Sequence, residues 1–456
     1  MTTSRGAGTL AAAPPPSLAG GIGGPPACID EHRVAASLPP VNRAWLVRGA
    51  GVAYPLEVSE TYFRKGFGLR AAVGPVLSLS YASGVVDRLR ALGHSARAGD
   101  VTLKLAREFG FCYGVDRAVE YAYETRQQFP DRRIFLSGEI IHNPDVNRRI
   151  EDMGIRILPE KGDAASRYAE VTAGDVVILP AFGVTVAEMA ELRDRGCVLV
   201  DTTCGSVLNV WKNVHIYARD GFTAVIHGKH YHEETKATAS QALTHSGGHY
   251  LCVRDRKEAD VVCAFIRGAI GADVIRAQFA HAASPGFDPE RDLARIGLAN
   301  QTTMLMSESL EIQEMLRRAM LDRHGEAEAA RRFRAMDTIC SATQDRQDAV
   351  LRMLDEGGLD VMVVIGGYNS SNTQALARIC AARLPTYHID GADCVAATLR
   401  HRPVGAHDET TPADWLPAGA VRIGLTAGAS TPNNVVGEVV RRLLALRGRT
   451  VEELVG

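Results

Sequence analysis

The sequence predicts an α/β protein of three lobes related by a pseudo-threefold repeat, each lobe a small parallel sheet flanked by helices. Three observations support this prediction. Apolar strand-like segments alternate with helical segments along most of the chain, which is the pattern of parallel sheets. A cysteine stands directly before a helical segment at three places, Cys112, Cys204 and Cys340. A cluster of polar residues follows each of these cysteines at nearly the same distance.

Each repeat unit has the same order of parts: a cysteine, a helical segment, a short apolar strand and a polar cluster. The clusters begin 30, 28 and 29 residues after their cysteines, at His142, His232 and Asn369. So regular a recurrence indicates one supersecondary unit used three times. Ligands of such sheets bind beyond the carboxyl ends of the strands. The three cysteines and the three polar clusters should therefore meet at a shared centre.

The repeat also predicts a division of the chain into segments. We expect a first lobe at 101–205, a second at 206–335, a third at 336–430 and a C-terminal helix at 431–456. Residues 1–40 are rich in Ala, Gly and Pro and lack apolar periodicity, which predicts a disordered tail. A cleaved targeting segment is the alternative interpretation of this tail. Residues 41–100 form an N-terminal extension to which the sequence assigns no chemistry.

Composition narrows the class of protein. The chain has 456 residues, of which 46% are apolar and 23% charged, which is typical of a soluble globular protein. A net charge of −2 gives no reason to expect a nucleic-acid or anionic-membrane partner. No apolar run approaches the ~20 residues that span a bilayer. Nine widely spread cysteines fit a reducing compartment, so we expect a cytoplasmic location.

The three repeated cysteines are candidate metal ligands, because a helix N-terminus favours a thiolate. Buried structural cysteines are the alternative. Zinc normally takes four ligands, and so does a four-iron cubane. Three thiolates on a cubane would leave one iron open to substrate, where it could act as a Lewis acid. The other cysteines are predicted to fill cores or surfaces: Cys28, Cys197, Cys252, Cys263, Cys380 and Cys394.

The polar clusters offer acid–base and anion-binding groups. The segment HGKHYHEET could hold zinc through His227, His230, His232 and Glu233. Alternatively, His232 binds an anion while Glu234 moves protons. The hydroxyl and amide residues could each be a helix N-cap, but together they would cradle a phosphate or diphosphate. They are Thr302, Thr303, Ser370, Ser371, Asn372 and Ser430. No GxxxxGK[ST] or GxGxxG motif argues for a nucleotide.

Nine motifs occur along the chain in a fixed order: GFCYGVDRAV, EIIHNPDVN, PAFGVT, DTTC, HGKHYHEET, NQTTML, DTICSATQDRQDAV, GGYNSSNT and TAGAST. From about Val101 to Val440 the chain resembles the 4-hydroxy-3-methylbut-2-enyl diphosphate reductase family. The motifs PAFG, IHGK and ANQTTML resemble those of the plant and cyanobacterial branch of that family.

The resemblance implies a cofactor and a reaction. It implies one 4Fe–4S cluster held by Cys112, Cys204 and Cys340, with one open iron. The reaction is removal of the allylic hydroxyl of the substrate by reduction, which gives isopentenyl and dimethylallyl diphosphate in the non-mevalonate isoprenoid pathway. Ferredoxin or flavodoxin is the implied electron donor.

The resemblance also implies roles for single residues. Glu234 is the implied proton donor, acting directly or through Thr302. The implied substrate-binding residues are His142, His232, Thr302, Ser370, Ser371, Asn372 and Ser430. Many bacterial members carry a histidine where this chain has Phe182, so one diphosphate contact must be made differently here. Two rival functions remain at this point: a non-redox hydratase, and an iron–sulfur sensor that binds diphosphates without converting them.

Overall fold

A computed structural model describes residues 61–159, 162–336 and 338–456, all within the compact unit Gly51–Gly456. The predicted disordered tail, residues 1–40, and the first twenty residues of the predicted extension lie outside the described residues.

The N-terminal part of the described chain contains β1 (Tyr62–Phe63), α1 (Arg70–Tyr81), α2 (Gly84–Ala91), β2 (Ser95–Ala98) and β3 (Val101–Leu105). The first repeat unit then supplies α3 (Tyr113–Gln128), β4 (Ile134–Leu136), α4 (Pro144–Asp152), β5 (Ile155–Ile157), α5 (Ala164–Arg167), β6 (Val176–Leu179), α6 (Val186–Asp194) and β7 (Val198–Asp201). Strands β1, β7, β6, β4 and β5 pair in that order in one parallel sheet. This sheet defines the first lobe.

The second unit contains α7 (Gly205–Arg219), β8 (Thr223–His227), α8 (Glu233–Ala242), β9 (Tyr250–Val253), α9 (Arg256–Ile266), α10 (Ala272–Phe279), α11 (Pro289–Asp292), β10 (Ile296–Asn300), α12 (Met306–Arg332) and β11 (Phe333–Ala335). Helix α12 is broken at Gly325, whose φ of 73° is non-helical. The strands pair in the order β11, β10, β8, β9, all parallel. This sheet, made of one continuous stretch of chain, defines the second lobe.

The third unit contains α13 (Ser341–Asp355), β12 (Val361–Ile365), α14 (Ser371–Ala381), β13 (Thr386–Ile389), a short 3₁₀ helix (Ala392–Cys394), β14 (Val421–Ala427) and α15 (Asn433–Ala445). Its sheet has the order β13, β12, β14, β3, β2 and defines the third lobe. All neighbours in it are parallel except β2, which runs antiparallel to β3. The fold class predicted from the sequence is confirmed: three lobes of mostly parallel sheet flanked by helices.

Strand β3 closes the third lobe and not the first, which differs from the predicted boundary at residue 101. Val101–Leu105 pairs residue for residue with Val421–Leu425 of β14. The other two sheets show the same arrangement. Strand β7 is the last strand of the first sheet along the chain and leads into Cys204, and β11 is the last strand of the second sheet and leads into Cys340. The apolar alternation of β3 would fit any of the three sheets, so the local sequence did not specify its partner.

The N-terminal extension and the C-terminal helix are integrated into these lobes. Strand β1 adds to the edge of the first sheet beside β7. Helix α2 packs with α15 on one face of the third sheet, where Val86, Leu89, Val436 and Val440 are fully buried. The C-terminal helix, predicted at 431–456 and observed at Asn433–Ala445, is thus part of the third lobe, because its apolar residues pack into the core of that lobe. In the described part of the chain, no helix combines the length and apolar character that crossing a bilayer requires.

Candidate active site

Each of the three repeated cysteines is the N-cap residue of a helix: Cys112 of α3, Cys204 of α7 and Cys340 of α13. The amide of Val115 donates to Sγ of Cys112 at 3.5 Å, and the amide of Thr343 donates to Sγ of Cys340 at 3.4 Å. Free N–H groups and the helix dipole stabilise negative charge at such positions. The structure thus confirms the predicted placement of the cysteines at helix starts.

The three lobes meet at one cavity of about 100 Å³, and all three cysteines line it. The side chains predicted from the sequence as substrate or proton groups line the same cavity: His142, His232, Glu234, Thr302, Ser370, Ser371, Asn372 and Ser430. These residues lie at the carboxyl ends of strands from different lobes, as the rule for parallel sheets predicts. The structure brings together the residues predicted as metal ligands, proton donor and substrate-binding groups, whereas Asn369, the first residue of the third polar cluster, is exposed and does not line the cavity.

Gly114 keeps two of the sulfur atoms close to each other. A Cβ on Gly114 would lie 2.6 Å from Sγ of Cys204 and 4.0 Å from Sγ of Cys112. Any side chain here would occupy the space between the two thiols. Gly114 lies in the first turn of α3, where only the tertiary structure reveals why a glycine is needed.

Two thiols of this centre, those of Cys204 and Cys340, are costly to ionise in the protein alone. Burial raises the pKa of Cys340 to about 11, and burial together with the nearby Cys112 raises the pKa of Cys204. A bound metal ion would reverse this, because thiolate ligands are deprotonated when they coordinate. All cysteines of the described chain are free of disulfides. The donor set therefore suits a metal centre.

The remaining described cysteines lie away from the cavity. They are buried in the cores of the lobes: Cys197, Cys252, Cys263, Cys380 and Cys394. Their predicted role as core residues is confirmed, whereas Cys28 lies outside the described residues. Within the described chain, no fourth cysteine lines the cavity.

Glu234 is a buried acid held by a single neighbour. Its carboxylate accepts hydrogen bonds from the Thr302 amide at 2.6 Å and from the Thr302 hydroxyl at 3.1 Å. Burial raises the pKa of Glu234 to about 7, although the bonds from Thr302 act in the opposite direction. A carboxyl group with this pKa carries a proton in a large fraction of molecules near neutral pH. Glu234 thus has the environment of a general acid.

A chain of hydrogen bonds runs through two histidines beside Glu234. The amide of Glu234 donates to Nδ1 of His232 at 3.2 Å, which leaves the proton of neutral His232 on Nε2. That nitrogen lies 3.3 Å from Nε2 of His142, and Nδ1 of His142 lies 2.9 Å from the carboxylate of Glu139. Burial holds the pKa of His232 well below its usual value. The geometry fits a neutral His232 that donates to His142, which in turn donates to Glu139.

Phe182 stacks on one of these histidines. Its ring centroid lies 4.8 Å from that of His142 with an interplanar angle of 16°, and it meets His232 edge-on at 6.1 Å. Phe182 contributes an apolar wall and fixes the plane of the His142 ring. Where the sequence predicted a changed diphosphate contact, the structure shows an aromatic support for the histidine.

Hydroxyl and amide groups from the third lobe face the histidines across the cavity. Ser370 caps α14, with the Thr373 amide donating to its Oγ at 3.3 Å. Ser371 accepts a hydrogen bond from Gln301 of the second lobe at 3.1 Å. Ser430 donates to the carbonyl of His142 of the first lobe at 3.2 Å. The helix N-terminus and these hydroxyls form the donor surface that an anionic group requires.

The zinc set considered from the sequence is not assembled as such. His227 is fully buried, and its Nδ1 lies 2.9 Å from the hydroxyl of Ser309. His230 packs against the ring of His281 instead. A different trio, His142, His232 and Glu233, has ligand atoms within 4.8 Å of one another.

Three residues that contribute to the site were not predicted from the sequence. Glu139 orients His142, and Gln301 links Ser371 with the hydroxyl of Thr303. Thr343 accepts hydrogen bonds from the Cys340 thiol at 3.1 Å and from Asn372 at 3.4 Å. All three lie inside the motifs EIIHN, NQTTML and DTICSAT, so their position within a motif could have indicated a role in the site.

Comparisons with known proteins agree with this architecture. The sequence model of a family described as "LytB protein" matches residues 103–444. A protein of Gloeobacter violaceus named 4-hydroxy-3-methylbut-2-enyl diphosphate reductase is 48% identical over 398 residues, which cover 86% of this chain and 94% of that protein. A protein of Thermosynechococcus vestitus with the same name is 47% identical over 396 residues, 86% of this chain and 96% of that protein.

A solved structure has the same fold. The E-1-hydroxy-2-methyl-but-2-enyl-4-diphosphate reductase from Plasmodium falciparum superposes with a TM-score of 0.55 at 21% identity, covering 75% of this chain and 87% of that one. At this identity the likeness concerns the fold.

Proposed function

The chain belongs to the LytB protein family, and on that basis we propose that it reduces 4-hydroxy-3-methylbut-2-enyl diphosphate to isopentenyl and dimethylallyl diphosphate. It is an oxidoreductase of the non-mevalonate isoprenoid pathway, acting on a small diphosphate. One observation carries the proposal for how it works. Three helix-capping cysteines from three lobes line the same cavity as a buried carboxyl group with a pKa of about 7.

The three cysteines are the proposed ligands of one 4Fe–4S cluster. Their thiols are free of disulfides, half-buried and supported by helix N-termini, and Gly114 leaves the space between two of them open. When bound, a cluster with three thiolates supplies electrons and one iron with a free coordination position. The absence of a fourth cysteine from the described part of the cavity supports this ligand count.

Glu234 is the proposed source of the proton that turns the leaving hydroxyl into water. Its carboxyl group holds a proton near neutral pH and reaches Thr302 by two hydrogen bonds. The proton can pass directly to the substrate or through the Thr302 hydroxyl. Positioned general acids typically contribute ~10²–10⁴-fold to a rate.

The substrate's diphosphate is the proposed occupant of the anion-binding side of the cavity. Ser370, Ser371, Asn372 and Ser430 offer hydroxyl and amide groups near the start of α14. His142 and His232 complete this surface from the other two lobes. Because the diphosphate is remote from the reacting carbon, its binding energy can fix the hydroxyl group in place without being changed by the reaction.

Two electrons must come from outside the substrate. A low-potential one-electron carrier of the ferredoxin or flavodoxin class is the proposed donor, which reduces the enzyme in two successive steps.

Anaerobic iron and sulfide analysis tests the ligand assignment. We expect Cys112→Ser, Cys204→Ser and Cys340→Ser each to lose cluster iron, the brown absorbance and activity. Cys197→Ser is the matched control, because Cys197 is buried elsewhere and a serine hydroxyl can keep the hydrogen bond to the Leu192 carbonyl. Full cluster content and activity in any of the three ligand variants would refute the assignment.

Product analysis separates this function from its two rivals. A hydratase would act without a reductant, and a sensor would bind the diphosphate without releasing product. We expect product only when substrate and dithionite are both present under anaerobic conditions. The buried acid Glu234 favours an enzyme over a sensor, because a sensor has no use for a proton donor at this place.

A further inference from the structure

Arg346 is a buried cation close to the proposed cluster ligands. It lies on α13, six residues after Cys340, and only 4% of its surface is exposed. Among the described residues it is the one arginine or lysine that is buried. The proposed function gives Arg346 no role.

The guanidinium group is held by backbone carbonyls. Its Nε and Nη2 donate to the carbonyl of Gly110 at 3.2 and 2.7 Å, and its Nη1 donates to the carbonyl of Ala342 at 2.7 Å. No carboxylate in the described part of the chain forms an ion pair with it. Arg167, also largely buried, is by contrast paired with Glu188.

These contacts place the charge between two of the ligand-bearing segments. Gly110 precedes Cys112 by two residues, and Ala342 follows Cys340 by two residues and lines the cavity. Arg346 thus joins the turn that carries one thiol to the helix that carries another. Because these carbonyls lie in segments that are far apart in sequence, the side chain ties the two segments to each other.

A buried guanidinium with only carbonyl partners is unfavourable in isolation. Removing a charge from water costs several kcal/mol unless an opposite charge compensates it. Three thiolates give an oxidised four-iron cluster a net negative charge, and each accepted electron adds one more. A fixed positive charge nearby therefore stabilises the reduced state more than the oxidised state.

We propose that Arg346 is a positioning residue that holds a positive charge beside the cluster and raises its reduction potential. The inference rests on the proposed function, since it requires the cluster. The electron comes from the external one-electron donor, and no bond to Arg346 forms or breaks. The residue makes the enzyme easier to reduce by a weak donor.

The test is a potentiometric titration of the anaerobically loaded full chain, with the electron paramagnetic resonance signal of the reduced cluster as the readout. For Arg346→Gln we expect the equilibrium constant for one-electron reduction to fall at least tenfold, which is a shift of about 59 mV to lower potential. Arg346→Lys keeps the charge and should keep most of the wild-type potential. The matched control is Arg352→Gln, an exposed arginine on the same helix, which should leave the potential unchanged.

A wild-type potential in Arg346→Gln with full iron and sulfide content would overturn the proposal and leave Arg346 a purely structural tie. If Arg346→Gln does not load, Arg346→Lys decides: loading with a wild-type potential supports the charge, and failure to load shows that the hydrogen-bond geometry alone matters. If the wild-type chain takes up no iron and sulfide, the proposed function fails, and this result is distinct from the other two.

Discussion

Single residues at the centre are tuned by how deeply they are buried and by which neighbour holds them. Glu234, which lines the cavity, and His227, at the end of β8, are both buried, but burial shifts their pKa values in opposite directions. It raises the pKa of the carboxyl group to about 7 and lowers the pKa of the imidazole to about 4. In each case the neutral form is favoured, because burial penalises charge. The same physical cause thus leaves a large fraction of one group protonated near neutral pH and keeps the other uncharged.

Replacing Glu234 tests its role in catalysis. We expect Glu234→Gln to keep its iron and sulfide content but to lose about 10²–10⁴-fold in turnover, because an amide cannot supply the proton. Wild-type turnover should also fall as the pH rises above about 7, where the carboxyl group loses its proton. Turnover at saturating substrate across pH 6–9 measures both effects.

The control for this experiment is Glu290→Gln, an exposed glutamate at the start of α11, which should behave as wild type. Unchanged turnover in Glu234→Gln would remove Glu234 from the proton path.

His227 should make the stability of the protein depend on pH. Its folded-state pKa of about 4 lies below the ~6.5 of an unfolded chain, so the unfolded state binds a proton first as the pH falls. Stability from this group is therefore present above about pH 6.5 and is lost towards pH 4, at ~1.4 kcal/mol per pH unit. Urea unfolding of the metal-free chain at several pH values measures the slope.

We expect His227→Asn to reduce that slope, whereas His407→Asn, at an exposed position, should not. Equal slopes in all three proteins would contradict the assignment of the pH dependence to His227.

At the scale of elements, the recurring device is a helix that begins at a cysteine. Three helices, α3, α7 and α13, have their N-termini at the cavity. Each follows directly along the chain after a strand: β3, β7 or β11. Helices α3 and α7 differ in how much space surrounds the glycine in their first turn. In α3 the second residue is Gly114, with no room for a side chain, whereas the first residue of α7 is Gly205, around which nothing lies within 4 Å. Two glycines in similar sequence contexts therefore carry different constraints.

This difference gives a test with an internal control. Gly114→Ala should reduce cluster loading strongly, because the new Cβ would lie 2.6 Å from Sγ of Cys204. Gly205→Ala should load normally and even stabilise its helix, since alanine is favoured over glycine by ~1 kcal/mol in helices. Iron per chain after anaerobic reconstitution, with circular dichroism to verify folding, is the measurement. Equal loading of both variants would show that Gly114 is not required by the sulfur geometry.

At the scale of the whole molecule, the lobes differ in how much of the chain each needs. The second sheet is made of β8 to β11 alone, from one continuous stretch. The third sheet needs β2 and β3 from the other end of the described chain, which cover the edge of β14. Without β3, the buried strand β14 would become an exposed apolar edge.

Fragments should reflect this difference. We expect a fragment of residues 205–336 to unfold cooperatively by circular dichroism, and a fragment of residues 338–456 to fail to do so. Fusing residues 84–106 to the end of the second fragment through a flexible linker should restore its cooperative unfolding. A cooperatively folded fragment 338–456 without the fusion would show that β3 is dispensable.

The features that local sequence encodes were predictable, and those that depend on distant parts of the chain were not. Strand and helix periodicity, with a cysteine before each repeated helix, predicted three lobes and a common centre, and the ordered motifs identified the candidate site residues. The partner of β3, the role of Gly114 and the burial of Arg346 could not be predicted. Each depends on a neighbour more than 80 residues away in sequence: β14, Cys204 and the carbonyl of Gly110.

The late pairing of β3 sets an order of events during synthesis. Leu105 leaves the ribosome 316 residues before Val421, the first residue of the strand beside which it will lie. At the usual ~5–20 residues per second, β3 waits roughly 15–60 s for that neighbour. During this interval the turn before Cys112 has no sheet to anchor it, while the second lobe can already fold. The cavity that Cys112, Cys204 and Cys340 line is consequently completed only after Val421 has been synthesised.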